Sequence, residues 1–165
     1  MKFIADAMLG KLAKRLRLLG FDVLYDCTLD DNEILRQALD QERMILTRDS
    51  GFVQRPLAQR HLFVISGHVQ EQLQQVLAAF PDQAPLHFSR CSECNTVLDW
   101  IDKREALDRV PQYVYEQHED FMQCSTCERI YWKGTHTRRI LRFNMNKPVP
   151  CSGTGRSCEN IDQMK

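Results

Sequence analysis

Over the first ~80 residues, short apolar runs alternate with stretches whose apolar positions recur at helical spacing, a pattern that predicts repeated βα units and a mainly parallel sheet. The strand candidates are Phe3-Ile4-Ala5, Phe21-Asp22-Val23-Leu24-Tyr25, Met44-Ile45-Leu46-Thr47 and Leu62-Phe63-Val64-Ile65. Between the first two, Leu9, Leu12, Ala13, Leu16 and Leu19 share one helical face, Lys11, Lys14, Arg15 and Arg17 lie on the other, and Gly20 stands where a helix ends. A second helix puts Ile34, Leu35, Ala38 and Leu39 inward after Asp30 or Asp31 as its cap. Another runs from about His68 to Phe80, with Val69, Leu73, Val76, Leu77 and Phe80 inward and Ser66 as a candidate cap. Pro81 and Pro85 then bracket a linker, and beyond Pro148 the chain is polar and lacks periodicity. The expected organisation is an α/β domain over residues 1–82, a small module over 88–147 ending in a basic helix, and a disordered tail over 148–165.

The small module carries the most specific chemistry. Cys91-Ser92-Glu93-Cys94 and Cys124-Ser125-Thr126-Cys127 are two CxxC pairs, each offering two thiolates from one tight turn. Together Cys91, Cys94, Cys124 and Cys127 fit a tetrahedral zinc ribbon, in which the metal organises the fold. The 29 residues between the pairs exceed the usual spacing of about 15 to 20, so an insert is implied. Thiolates would also accept iron, but the Pro and Gly usual in such iron hairpins are absent. A thioredoxin-like site needs only one CxxC.

Composition sets the context for that metal. At 165 residues and 43% hydrophobic, the chain can bury one moderate core and one satellite. No apolar run approaches the ~20 residues needed to span a bilayer, and the start carries Asp6 where a signal peptide would be apolar. Seven cysteines, an odd count with Cys27, Cys151 and Cys158 outside the pairs, do not suggest a disulfide framework. A soluble, cytoplasmic protein is expected. Its net charge is zero, yet Arg129, Lys133, Arg138, Arg139, Arg142 and Lys147 form a stretch free of acids. They are interleaved with Tyr131, Trp132, His136 and Phe143, which suits phosphates and exposed bases, although a solvated helix face with core aromatics would read the same way.

Ligands of open parallel sheets bind beyond the carboxyl ends of the strands. Asp6, Asp26 and Asp49 each follow a strand candidate, and Asp31 opens a helix toward the same rim. Converging carboxylates repel one another, and magnesium or manganese relieves that repulsion. Each aspartate also has a plainer use: Asp30 or Asp31 as a helix cap, Asp49 in a turn with Ser50-Gly51, Asp26 in a solvated loop. Exchanging Asp6, Asp31 or Asp49 for Asn should cost activity and spare stability, because the repulsion is relieved.

Four blocks, Asp6-Ala7-Met8-Leu9-Gly10-Lys11-Leu12-Ala13, Leu18-Leu19-Gly20-Phe21-Asp22, Asp31-Asn32-Glu33-Ile34-Leu35 and Leu46-Thr47-Arg48-Asp49, together resemble the PIN-like RNase domain called Mut-seven C-terminal. The second half is similar to that family's zinc ribbon, through Arg90-Cys91-Ser92-Glu93-Cys94-Asn95 and Cys124-Ser125-Thr126-Cys127 to His136. The resemblance covers residues 1 to 145 and implies a three-layer α/β/α PIN-like fold with metal-dependent cleavage of RNA. The matching acids are Asp6, Asp31 and Asp49, as ligands of catalytic magnesium or manganese. No fourth acid follows Leu62 to Ile65, where Ser66-Gly67-His68 stand instead, so a second ion would arrive with the substrate. Lys11, Lys14 and Arg48 are candidates for guiding phosphates, with Arg138, Arg139 and Arg142 on the backbone and Trp132 or Tyr131 stacking on a base. A non-catalytic RNA-binding adaptor is the competing reading; a redox or metal-storage protein would leave the acids without a purpose.

Overall fold

The computed structural model describes residues 1–81 and 89–134. Its first unit is β1 (Lys2–Ala5), α1 (Gly10–Leu18), β2 (Asp22–Leu24), α2 (Asp31–Asp40), β3 (Met44–Thr47), α3 (Ser50–Val53), β4 (His61–Phe63) and α4 (Val69–Ala79). The four strands are all parallel in the order β2-β1-β3-β4. Successive residues of a strand face opposite sides, so Phe3, Ala5 and Leu46 pack against α1 and α4, while Ile4 and Ile45 pack against α2 and α3. The result is three layers, α/β/α, with the expected strands and helices in place.

Local departures have local causes. Gly20 takes φ 93°, the left-handed conformation that ends α1 cheaply only for glycine. Asp30, rather than Asp31, caps α2 by accepting from the Glu33 amide at 2.9 Å. At α4 the cap position is His68, and Ser66 lies two residues earlier, where its Oγ accepts from the His68 amide. Leu39, read as inward, is 54% exposed.

A three-stranded antiparallel sheet follows, ordered β5 (Leu98–Ile101), β6 (Phe121–Cys124), β7 (Ile130–Trp132). The implied insert lies between β5 and β6. It holds a 3-10 turn over Lys103–Ala106, closed by an Asp102/Glu105 capping box, and α5 (Gln112–Gln117). Ala106 and Val114 of this insert bury Phe121 on the sheet face opposite the cysteines, giving a small module a second core.

The two sheets meet at the edge strand β2, whose outward N–H and C=O would otherwise be open. The Val23 amide donates to Asn95 Oδ1 at 3.1 Å, and the Val23 carbonyl accepts from Arg17 Nε at 2.8 Å. Arg17 continues to the carbonyls of Ser92 and Glu93, and Asn95 Nδ2 donates to Asp22 at 2.8 Å. Lys14 pairs with Glu93 at 2.7 Å, and Leu18 packs among the cysteines. Part of the basic face of α1 is thus covered: Arg17 is only 4% exposed, whereas Lys11 and Lys14 remain exposed. Burial lowers the Arg17 pKa, and the neighbouring Cys91, Glu93, Cys94 and Asp22 oppose that shift.

Burial pushes the Asp22 carboxyl up, but hydrogen bonds from Arg43 and Asn95 and the charges of Arg43 and Arg90 outweigh it and hold its pKa below the ordinary value. A depressed carboxylate contributes stability that is complete above its unfolded pKa of about 3.9 and is lost as pH falls through the folded value. The Tm difference between the protein and an Asp22→Asn variant should therefore be constant above about pH 5 and shrink on further acidification. A difference that does not vary with pH would contradict this assignment.

Candidate active site and metal centre

The order β2-β1-β3-β4 reverses direction between β1 and β3, because the β1-to-β2 connection runs one way and the β2-to-β3 connection returns over β1. At such a switch point a crevice opens beyond the strand ends. Asp6 is the first residue past β1, and Thr47-Arg48-Asp49 leave β3 beside it. They are joined directly: the Asp6 amide donates to the Leu46 carbonyl at 3.0 Å. The Thr47 hydroxyl donates to Asp6 Oδ2, and the Arg48 amide donates to the same oxygen at 2.9 Å. Asp6 Oδ1 accepts from the Met8 amide at 2.9 Å. Asp6 is 6% exposed, so these three donors answer the cost of burying a carboxylate.

Tyr25 braces the turn after Asp6. Its hydroxyl donates to the Ala7 carbonyl at 3.3 Å, and a Cβ on Gly10 would lie 2.5 Å from that oxygen. Only glycine lets the ring approach the start of α1 so closely.

Asp49 caps α3, with Oδ1 accepting from the Gly51 amide at 2.7 Å. Asp31, at the first turn of α2, pairs its Oδ2 with Arg55 at 2.8 Å. Asp26 closes its own turn on Thr28. Among the described residues, the carboxylates of Asp6, Asp31 and Asp49 do not all lie within 4.8 Å of one another. Their donor chemistry suits a hard divalent cation: among the described residues, Asp31 Oδ1 and Asp49 Oδ2 accept no hydrogen bond, and Asp6 Oδ1 accepts one.

Of the basic residues singled out for substrate, Lys14 is held by Glu93, whereas Lys11 makes no ion pair among the described residues. The Arg48 Nε is buried without a hydrogen-bond partner among the described residues. Arg138, Arg139 and Arg142 lie outside the described residues, as do the basic helix and the tail. Tyr131 is committed to the cysteines, its hydroxyl 3.1 Å from Cys91 Sγ and 3.2 Å from the Ser92 amide. Trp132 is half-buried against Phe121, Val114 and Ala106. The open ring is Trp100, 63% exposed, with Lys133 Nζ 5.8 Å from its centroid. Spacing gave no sign of that, because strand position alone does not say which of two tryptophans the inserted helix covers.

The sulfurs of Cys91, Cys94, Cys124 and Cys127 lie within 4.8 Å of one another, a group that could hold a metal such as zinc. Both turns have the same build. The residue after each second cysteine takes positive φ, Asn95 at 64° and Glu128 at 59°, and each donates its amide back to the first cysteine's carbonyl. The Cys94 amide also donates to Cys91 Sγ at 3.3 Å. Without an ion the thiols disfavour shared charge. Cys94 is pushed up to about 12 by its hydrogen bond with Cys127, by burial and by Cys91. Burial pushes Cys124 up too, but amide donors from Cys127 and Thr126 and the neighbouring thiols bring it down to about 7. Metal binding here must displace protons.

The first unit therefore places Asp6 and Asp49 at the switch point of a parallel sheet, with a four-thiol site fastened to the sheet's edge. Among the described residues no helix is long and apolar enough to cross a membrane. No curated protein and no solved structure matches the chain. A family model described as the Mut7-C RNAse domain matches residues 1–144, across both the crevice and the thiol site. With that match over nearly its whole length, the chain belongs to the Mut7-C RNAse domain family.

Proposed function

We propose that this protein is a cytoplasmic, metal-dependent ribonuclease that hydrolyses RNA phosphodiester bonds. Residues 1–82 would form its PIN-like nuclease domain and residues 88–147 a zinc ribbon that helps hold the substrate. The observation that carries the reading is the tie between Asp6 and the Thr47-Arg48-Asp49 segment at the sheet's switch point, in a chain of an RNase family. Asp6, Asp31 and Asp49 would hold magnesium or manganese, and Cys91, Cys94, Cys124 and Cys127 structural zinc. A bound divalent cation supplies Lewis acidity and a more acidic water at neutral pH.

The chain's own residues do the rest. Thr47 and the Arg48 amide fix the Asp6 carboxylate in one orientation, so the ligand oxygen is placed before any ion arrives. Lys11 stands on α1 where it can draw the RNA backbone toward Asp6. Trp100 with Lys133 offers a ring and a cation to an unstacked base, alongside Arg138, Arg139 and Arg142.

Asp49→Asn provides the clean test, since Asn caps helices as well as Asp does and the fold should hold. Purified variant and parent are incubated with single-stranded RNA and manganese, magnesium or EDTA. Cleavage should require metal, and fall by at least about tenfold in the variant at unchanged Tm. The Asp31–Arg55 ion pair, which occupies one of the three carboxylates, favours one alternative, a non-catalytic RNA-binding adaptor. RNA binding without cleavage under every metal condition would select it.

A further inference from the structure

We infer that Arg55 holds the place of the divalent cation at Asp31 and hands that carboxylate over when an RNA phosphate takes the arginine. The inference rests on the proposed role of Asp31 as a metal ligand. Arg55 lies just beyond α3, the helix that Asp49 caps, and reaches across to the first turn of α2. Its Nη2 donates to Asp31 Oδ2 at 2.8 Å and its Nη1 to Asn32 Oδ1 at 2.9 Å. The guanidinium stands 5.7 Å from the centre of the Phe52 ring, itself fully buried in the core between α2, α3 and the sheet. The ring supports one side of the fork, and the fork remains 38% exposed.

A cation on Asp31 would sit within a few ångströms of that guanidinium, and two positive charges so close repel. Arg55 therefore weakens metal binding for as long as it stays on Asp31. A guanidinium fork matches a phosphate as well as it matches a carboxylate, and an RNA strand entering the crevice brings phosphates with it. Moving Arg55 from Asp31 to phosphate opens the carboxylate at the moment substrate arrives. Metal and RNA then favour each other's binding, by the reciprocity that linkage imposes. Arg55 becomes a substrate-positioning residue in the loaded state and a guard of the acidic site in the free one.

Manganese is titrated into full-length, zinc-loaded protein, reading the free ion by electron paramagnetic resonance, for the parent, Arg55→Met, Arg55→Lys and Asp31→Asn. Single-stranded RNA cleavage is then measured at saturating manganese, separating kcat from KM. Without RNA, Arg55→Met should bind manganese about three- to tenfold more tightly than the parent, because a competing charge is gone. Arg55→Lys keeps the charge and should stay near the parent. Both variants lack the fork and should raise KM for RNA by about tenfold. A mere strut between α2 and α3 would never tighten metal binding when removed. If Asp31→Asn weakens manganese binding but Arg55→Met leaves it unchanged or weaker, the inference is overturned and the metal reading stands. If manganese binding is absent from the parent, or indifferent to Asp31, both fall together.

Discussion

Asp6→Asn should abolish RNA cleavage and destabilise the fold at the same time. The carboxylate accepts from the Met8 amide on one oxygen and from Thr47 and the Arg48 amide on the other. An Asn side chain has one oxygen and one NH2, so either the Met8 or the Arg48 amide would face another donor in a site that is 6% exposed. Leaving one buried amide without its acceptor costs about 1–3 kcal/mol. Relief of carboxylate repulsion cannot offset this, because Asp31 already has its cation in Arg55 and Asp49 is exposed. The expectation that acid-to-amide changes spare stability therefore suits Asp49 and not Asp6. Activity should fall by at least about a hundredfold, since changes even to groups behind a metal ligand cost up to that much. Thermal denaturation beside a cleavage assay decides both halves. An Asp6→Asn protein that cleaves RNA at the parent's rate would remove Asp6 from the site, and one with an unchanged Tm would show that the turn re-forms around it.

Replacing Cys94 and Cys127 together with Ser should remove the one zinc expected per chain, and the damage should reach the parallel sheet. Thiolate–zinc bonds supply the folding free energy of so small a module, so their loss unfolds the two turns. Asn95 holds φ 64° as part of the first turn, and from there it accepts from the Val23 amide and donates to Asp22. Arg17 loses the Ser92 and Glu93 carbonyls in the same event and is opened to solvent. Each such hydrogen bond to a charged group is worth about 1.5–3 kcal/mol. The edge strand β2 should fray, visible as faster hydrogen exchange at Val23 and a lower Tm for the whole protein. Elemental analysis reads the zinc. A zinc-free variant in which Val23 exchanges as slowly as in the parent would show that the first unit stands alone and that these contacts are ornamental to it.

Much of this architecture is written in local pattern. The four strands of the parallel sheet and the helices α1, α2 and α4 follow from apolar periodicity and from Gly20, because each element's core face repeats within a few residues. The thiol site follows from two CxxC turns, whose geometry is set within four residues of chain. The acids Asp6 and Asp49 could be placed at the rim because strand ends can be located from the same periodicity. What the pattern could not supply is the partner of each polar side chain. Lys14 and Arg17 share a helix face that reads as solvated, yet Arg17 is buried because Ser92, Glu93 and Asn95, some 75 positions later, fold onto it. Trp132 and Trp100 could not be ranked until α5 and the 3-10 turn covered one and left the other open. Arg55 carried no signal at all, being 24 positions from Asp31 and outside every motif. Periodicity is a property of neighbours along the chain, whereas the choice of ion-pair and hydrogen-bond partners is fixed by which surfaces packing brings within 3 Å, and only the assembled tertiary structure decides that.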